Sequence, residues 1–156
     1  MRLKLIICAV AMTALSSSLR AEDDSPKQQI LAAAKQMALS DEQFQAFDKK
    51  IEKKLIETPF SEQDIAEKPE LTQIYEIYQK AINDHRANLR TQYDLGQKMI
   101  QQVQETDELS RLGEIVHAFQ AAISPVLEEH KALEEKIKDL EGKIIPLLPS
   151  GTELYY

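Results

Sequence analysis

The side chains with the most chemical reach in this chain are its three histidines, His85, His117 and His130. Imidazole is a common ligand for zinc and copper, and its charge changes nearest to neutral pH. Asp84, Glu128 and Glu129 lie close to two of them in sequence, which supplies the donors of a His/carboxylate site for a divalent transition ion. His117 closes a Glu-x-x-His unit, Glu114-Ile115-Val116-His117. A carboxylate-bridged di-iron centre in a four-helix bundle takes two such units and two further glutamates, and only one unit is present. His85 and His130 also fall within apolar seams, where a polar layer sets the register of paired helices. That reading is preferred. No residue is then assigned a catalytic, cofactor-binding or metal-ligating role, and no cofactor is called for. His85, His117 and His130 stand as the candidates of the rival reading, a metal- or small-ligand-binding helical bundle.

Covalent chemistry has less to work with. Cys8 is the sole cysteine, and it lies in an N-terminal stretch expected to be removed. No serine sits in a Gly-x-Ser-x-Gly turn. The glycines are isolated, so no phosphate-cradling loop is formed. Carboxylates are abundant, but pairs such as Glu76 with Lys80, Asp94 with Lys98, Glu134 with Lys138 and Asp139 with Lys143 have the spacing of solvated helix faces. Lys49, Lys50, Lys53 and Lys54 form a small basic patch, read in the same way.

The elements that would position these groups are two long heptad runs between Leu71 and Ile144. The first is Leu71, Tyr75, Tyr78, Ile82, His85, Leu89, Gln92, Gly96, Met99, Val103; the second is Leu109, Leu112, Val116, Phe119, Ile123, Val126, His130, Leu133, Ile137, Leu140, Ile144. Steps of three and four keep one residue per turn on a single face, the pattern of a coiled-coil seam. From Val103 to Leu109 the phase slips, within Glu105-Thr106-Asp107-Glu108. Thr106 or Asp107 can cap a new helix there, and the acidic residues suit its first turn. The expected architecture is therefore a long antiparallel helical hairpin. Its register pairs Met99 with Leu112, Gly96 with Val116 as small against large, His85 with Val126, Ile82 with His130, and Leu71 with Leu140. Pro125, inside the second arm, frees the carbonyl of Ala121 and predicts a kink over 121–125 or two helices in series. Ile74, Ile77, Tyr93, Ile100, Ile115 and Leu127 fall on the flanks, where they call for further cover from the N-terminal helices or from a second copy of the chain.

The rest of the chain reads in order. Met-Arg-Leu-Lys, an uncharged apolar core over residues 5–15 and the run Ser16-Ser17-Ser18-Leu19-Arg20-Ala21 have the three parts of a secretory signal peptide. The core is short for a membrane span, which takes roughly 20 apolar residues. With residues 1–21 removed, residues 22–68 hold two N-terminal helices and a connector, 69–145 the hairpin, and 146–156 an extended tail. Ser25-Pro26-Lys27-Gln28 and Ser40-Asp41-Glu42-Gln43 are both capping boxes, so each starts a helix. The second helix is expected to end near Thr58-Pro59, and Pro69 to open the first arm. No stretch alternates as a strand would.

Removing Arg2, Lys4 and Arg20 from the 19 basic residues leaves 16 against 26 acidic ones, a net charge of −10. That balance disfavours nucleic acid, which calls for a basic footprint, and anionic membrane surfaces. It suits a soluble protein with protein partners or self-association. The expected function is that of a periplasmic or secreted, non-enzymatic helical interaction protein, an adaptor or a chaperone-like holdase acting through helical surfaces. In layout the chain resembles the small periplasmic holdases of the Skp type, which also carry long helical hairpins. Those proteins are basic and have a β-structured body, whereas this chain is acidic and shows no strand pattern.

Overall fold

The computed structural model describes residues 25–56 and 62–147. The signal-peptide segment, the expected helix end at Thr58-Pro59 and the tail beyond residue 147 lie outside the described residues. Among the described residues five α-helices follow one another: α1 (Pro26–Met37), α2 (Asp41–Ile56), a short α3 (Glu62–Glu67), α4 (Pro69–Glu105) and α5 (Leu109–Ile144), with a 3-10 turn at Ile145–Leu147. The protein is all-α, with no strand among the described residues, and α4 and α5 form the antiparallel hairpin. No helix among the described residues is long and apolar enough to cross a membrane.

Local sequence chemistry sets the helix ends. The Ser25 hydroxyl accepts a hydrogen bond from the Gln28 backbone amide, and the Gln28 side-chain oxygen accepts one from the Ser25 backbone amide, with Pro26 at the first helical position. Ser40 and Gln43 make the same reciprocal pair at the start of α2, at 3.2 and 3.1 Å. Each box satisfies two amides that a helix N-terminus otherwise leaves open. Pro69 opens α4, with Glu70 in its first turn. The hairpin turn is Thr106–Glu108, and Thr106 is buried while Asp107 and Glu108 are exposed. Lys143 sits in the last turn of α5, a favourable place for a cation, and Pro146 follows.

Pro125 does not divide the second arm: α5 is one helix through it. Proline costs the bond to the Ala121 carbonyl. Both Ala121 and Pro125 are exposed, so water can reach the carbonyl that proline releases.

The chain packs as two compact units. In the first, residues 25–39 join residues 94–122. Ala34, Met99, Val103 and Leu112 form its core, with Phe119 nearly as well covered. Helix α1 runs antiparallel to α4 here. Lys27 donates to the Gln104 carbonyl at 3.0 Å and to Asp107 at 2.6 Å, while at the other end of α1 the Gln97 amide reaches the Leu39 carbonyl at 3.4 Å. Gly96 meets the end of α1 rather than Val116. A Cβ added to it would stand 2.7 Å from the Cβ of Ala38, so glycine is what lets the two backbones approach so closely.

In the second unit, residues 40–93 join residues 123–147. Leu71, Tyr78, Ala81, Ile82, Leu89, Leu133, Ile137, Leu140 and Ile144 fill the core, and Ile51 of α2 joins them. Helix α2 also lies antiparallel to α4. Asp41 accepts from the Tyr93 hydroxyl at 2.8 Å, Phe44 stacks on Tyr93 with centroids 4.5 Å apart, and Arg90 lies over the Phe44 ring at 5.7 Å. Further along, Arg86 grips Asp48 with two bonds of 2.5 and 2.6 Å. Burial of Ala81 beside Ile82, with Tyr93 stacked on Phe44, makes the covered face of α4 wider than a two-helix seam, as contact with a third helix requires. The short N-terminal helices thus supply part of the cover that the flanking apolar residues call for.

Candidate functional site

The register of the second unit decides which polar groups meet. His130 of α5 stands against His85 of α4, with ring centroids 4.6 Å apart and planes at 41°. Nearby, Asn88 donates to the Val126 carbonyl and to Glu129, both at 3.0 Å. The Tyr78 hydroxyl reaches Glu141 at 3.0 Å. The pairings expected from the heptads alone, His85 with Val126 and Ile82 with His130, are therefore displaced by one layer. The physical reason lies in the polar residues. Heptad seams are self-similar, so a slip of one layer costs little apolar contact. The observed register sets imidazole against imidazole and amide against carboxylate, rather than each against an aliphatic side chain.

His130 is only 8% exposed. Its Nε2 lies 3.5 Å from Oε1 of Glu134, one helical turn further along α5. Its Nδ1 is buried with no hydrogen-bond partner among the described residues. His85 is partly buried, and Glu134 is open to solvent with its side chain 53% exposed. One ligating atom from each of His85, His130 and Glu134 falls within 4.8 Å of the others. Two imidazoles and a carboxylate form the donor set of zinc and of other borderline divalent ions.

The other sequence candidates are not brought together in this way. His117 and Glu114 are exposed in the first unit. Asp84 is engaged by Lys80 at 2.9 Å, Glu129 accepts from Asn88, and Glu128 is exposed. The carboxylate that reaches the histidine pair is Glu134, which sequence reading had placed with Lys138 on a solvated face. Its signal was the i,i+4 spacing from His130, which puts both on one face of the helix. Asn88 was missed as well, because it lies one position beside the seam. Its side chain is a small buried network, with Oδ1 accepting from the Gln92 amide at 2.8 Å.

Beside this layer Arg86 pairs with Asp48. The guanidinium hydrogen bonds hold the Asp48 carboxyl below the usual aspartate range, and the carboxylate in turn raises Arg86. Lys49 and Lys50 are exposed, as a solvated face requires. In the first unit, Leu95, Met99, Phe119 and Ala122 line a shallow groove of about 140 Å³, with Lys98 and Gln102 at its edge. Sites for small organic ligands run from about 300 Å³ upward, so the groove suits a side chain better than a cofactor. No family model matches the chain, and no curated protein or solved structure matches it either.

Proposed function

We propose that the chain is an exported, non-enzymatic helical protein that works by contact, as an adaptor or a chaperone-like holdase for incompletely folded polypeptides. The supporting observation is apolar surface left over after the helices have packed. Ile77 is 48% exposed, Leu109 62% and Ile145 54%, and Ile74, Ile100, Ile115 and Leu127 are only partly covered. Full burial of one such side chain contributes about 1.5–3 kcal/mol, so even partial cover by a client offers a favourable term at each. The acidic balance supports the same reading. It keeps a protein with exposed apolar groups soluble and draws basic, unfolded segments toward it. The N-terminal stretch supports action in the periplasm or outside the cell.

Aggregation of a thermally unfolded client enzyme, followed by light scattering, tests this. The full chain is expected to suppress scattering at near-stoichiometric ratios, and Ile77→Glu to suppress it less while keeping its helical circular dichroism. Unchanged client aggregation at a several-fold excess of the chain would refute the holdase reading. If wild type and Ile77→Glu were equally active, the apolar surface would be the wrong origin for the activity.

A further inference from the structure

We propose that His85, His130 and Glu134 bind one divalent transition ion of the zinc class, and that the ion ties α4 to α5. The inference does not rest on the contact reading, because it concerns a polar layer inside the second unit rather than the apolar flanks.

Three observations carry it. The first is the donor set, two imidazole nitrogens and one carboxylate oxygen, with all three ligating atoms within 4.8 Å of one another. The second is spacing. Donors bound at about 2.0–2.1 Å to a tetrahedral ion stand roughly 3.4 Å apart, and Nε2 of His130 is 3.5 Å from Oε1 of Glu134. That pair is already set at the separation an ion demands. His85 comes from the opposite helix, and its ligating nitrogen lies within 4.8 Å of the other two donors. The third is the state of His130. The side chain is buried to about nine-tenths, yet Nδ1 has no hydrogen-bond partner among the described residues. With Nε2 as the ligating atom, Nδ1 does not itself ligate; its lack of a partner leaves the ring tied only by the long Nε2–Glu134 contact, so the ring can turn onto an ion.

The surroundings suit a catch-and-hold site. Glu134 is open to solvent, which gives an ion a way in and leaves the fourth position to water. Glu128 and Glu135 are exposed nearby on the same helix, and they raise the local concentration of cations. Histidines from different helices with a carboxylate one turn away make a crosslink. Binding joins α4 to α5 at the middle of the second unit and stabilises the pairing by mass action.

The competing account is a metal-free polar layer that only sets register. Titration of the full chain with ZnCl2 by isothermal calorimetry separates the two, with Co2+ as a spectroscopic probe. The expected result is one Zn2+ per chain. His85→Ala, His130→Ala and Glu134→Gln should each weaken binding by at least about tenfold, the loss seen even for residues one shell removed from a metal. His117→Ala should bind as wild type does. Co2+ should give the intense visible bands of a four-coordinate ion, and these should be lost in His85→Ala. Glu134→Gln changes a half-exposed side chain, so it reports on the site even if a histidine variant loses its fold. Absence of Zn2+ binding would overturn the proposal. So would binding that survives Glu134→Gln and His85→Ala but is abolished by His117→Ala, since the ion would then belong to the exposed Glu114–His117 turn.

Discussion

Gly96→Ala is the substitution on which helix propensity and packing disagree most clearly. In an open helix, replacing glycine by alanine stabilises by about 1 kcal/mol, because alanine surrenders less backbone entropy. Gly113 and Gly142 are in that situation, as nothing lies within 4 Å of a Cβ at either position. At Gly96 the new Cβ would stand 2.7 Å from Ala38 Cβ and 3.2 Å from Ala38 Cα. Neither atom is the far end of a flexible side chain, so backbone has to move. Overpacking of that kind costs about 1–3 kcal/mol. Gly96 and Gly113 belong to the same compact unit, and the propensity gain is common to both substitutions. The stability difference between Gly96→Ala and Gly113→Ala therefore isolates the packing term, about 2 kcal/mol. For a chain of this size that is roughly 4–8 °C in Tm. Thermal unfolding followed by circular dichroism at 222 nm measures it. Gly113→Ala should melt above wild type and Gly96→Ala below it. A Gly96→Ala protein as stable as Gly113→Ala would mean that the end of α1 does not lie against α4, and the packing of the first unit would have to be redrawn.

Two further outcomes concern the second unit. Asn88→Ala removes three hydrogen bonds, to Val126, Glu129 and Gln92. In urea unfolding it should cost on the order of 2–3 kcal/mol, at about 1 kcal/mol per bond; a cost below about 0.5 kcal/mol would show that the network does not hold the register. Arg86→Gln should cost about 1 kcal/mol at neutral pH, a modest figure because both Arg86 and Asp48 are about one-third exposed. The sign of its pH dependence follows from Asp48, whose carboxyl is held below its ordinary value by Arg86. A lowered folded-state pKa contributes stability that is present above the unfolded value of about 3.9 and is lost as pH falls through the folded one. The gap between wild type and Arg86→Gln should thus be constant from pH 7 to about pH 5 and close toward pH 2–3. A gap that widened in acid would contradict the pairing.

Features that depend on neighbours along the chain were legible in the sequence. Two capping boxes, proline at the start of α1 and α4, the helical seams and the turn between Glu105 and Leu109 follow from rules spanning four to seven residues. Features that depend on what lies across the seam were harder. The heptads place the register of the second unit one layer off because one repeat looks like the next; only the polar residues, His85 with His130 and Asn88 with Glu129, break that degeneracy. Asn88 stands one position beside the heptad seam, so the heptad rule does not select it, although its bonds to Val126 and Glu129 cross from α4 to α5. Gly96 was matched to the wrong neighbour, since α1 rather than α5 presses on it. In the candidate site, His85 and His130 were legible as polar seam residues. Glu134 was not, because a surface rich in carboxylates gives no reason to single one out until the opposing histidine is in place.

The central claim is that this protein acts by offering helical surface to an unfolded chain, and sedimentation velocity tests it most directly. A permanently unfolded, fluorescently labelled polypeptide is sedimented alone, with the full chain, and with Ile77→Glu. The label is expected to move with the wild-type protein in a discrete, faster complex, and Ile77→Glu to shift a clearly smaller share of it at the same concentration. A label that sediments at its own rate at every concentration of the wild-type chain would contradict the claim.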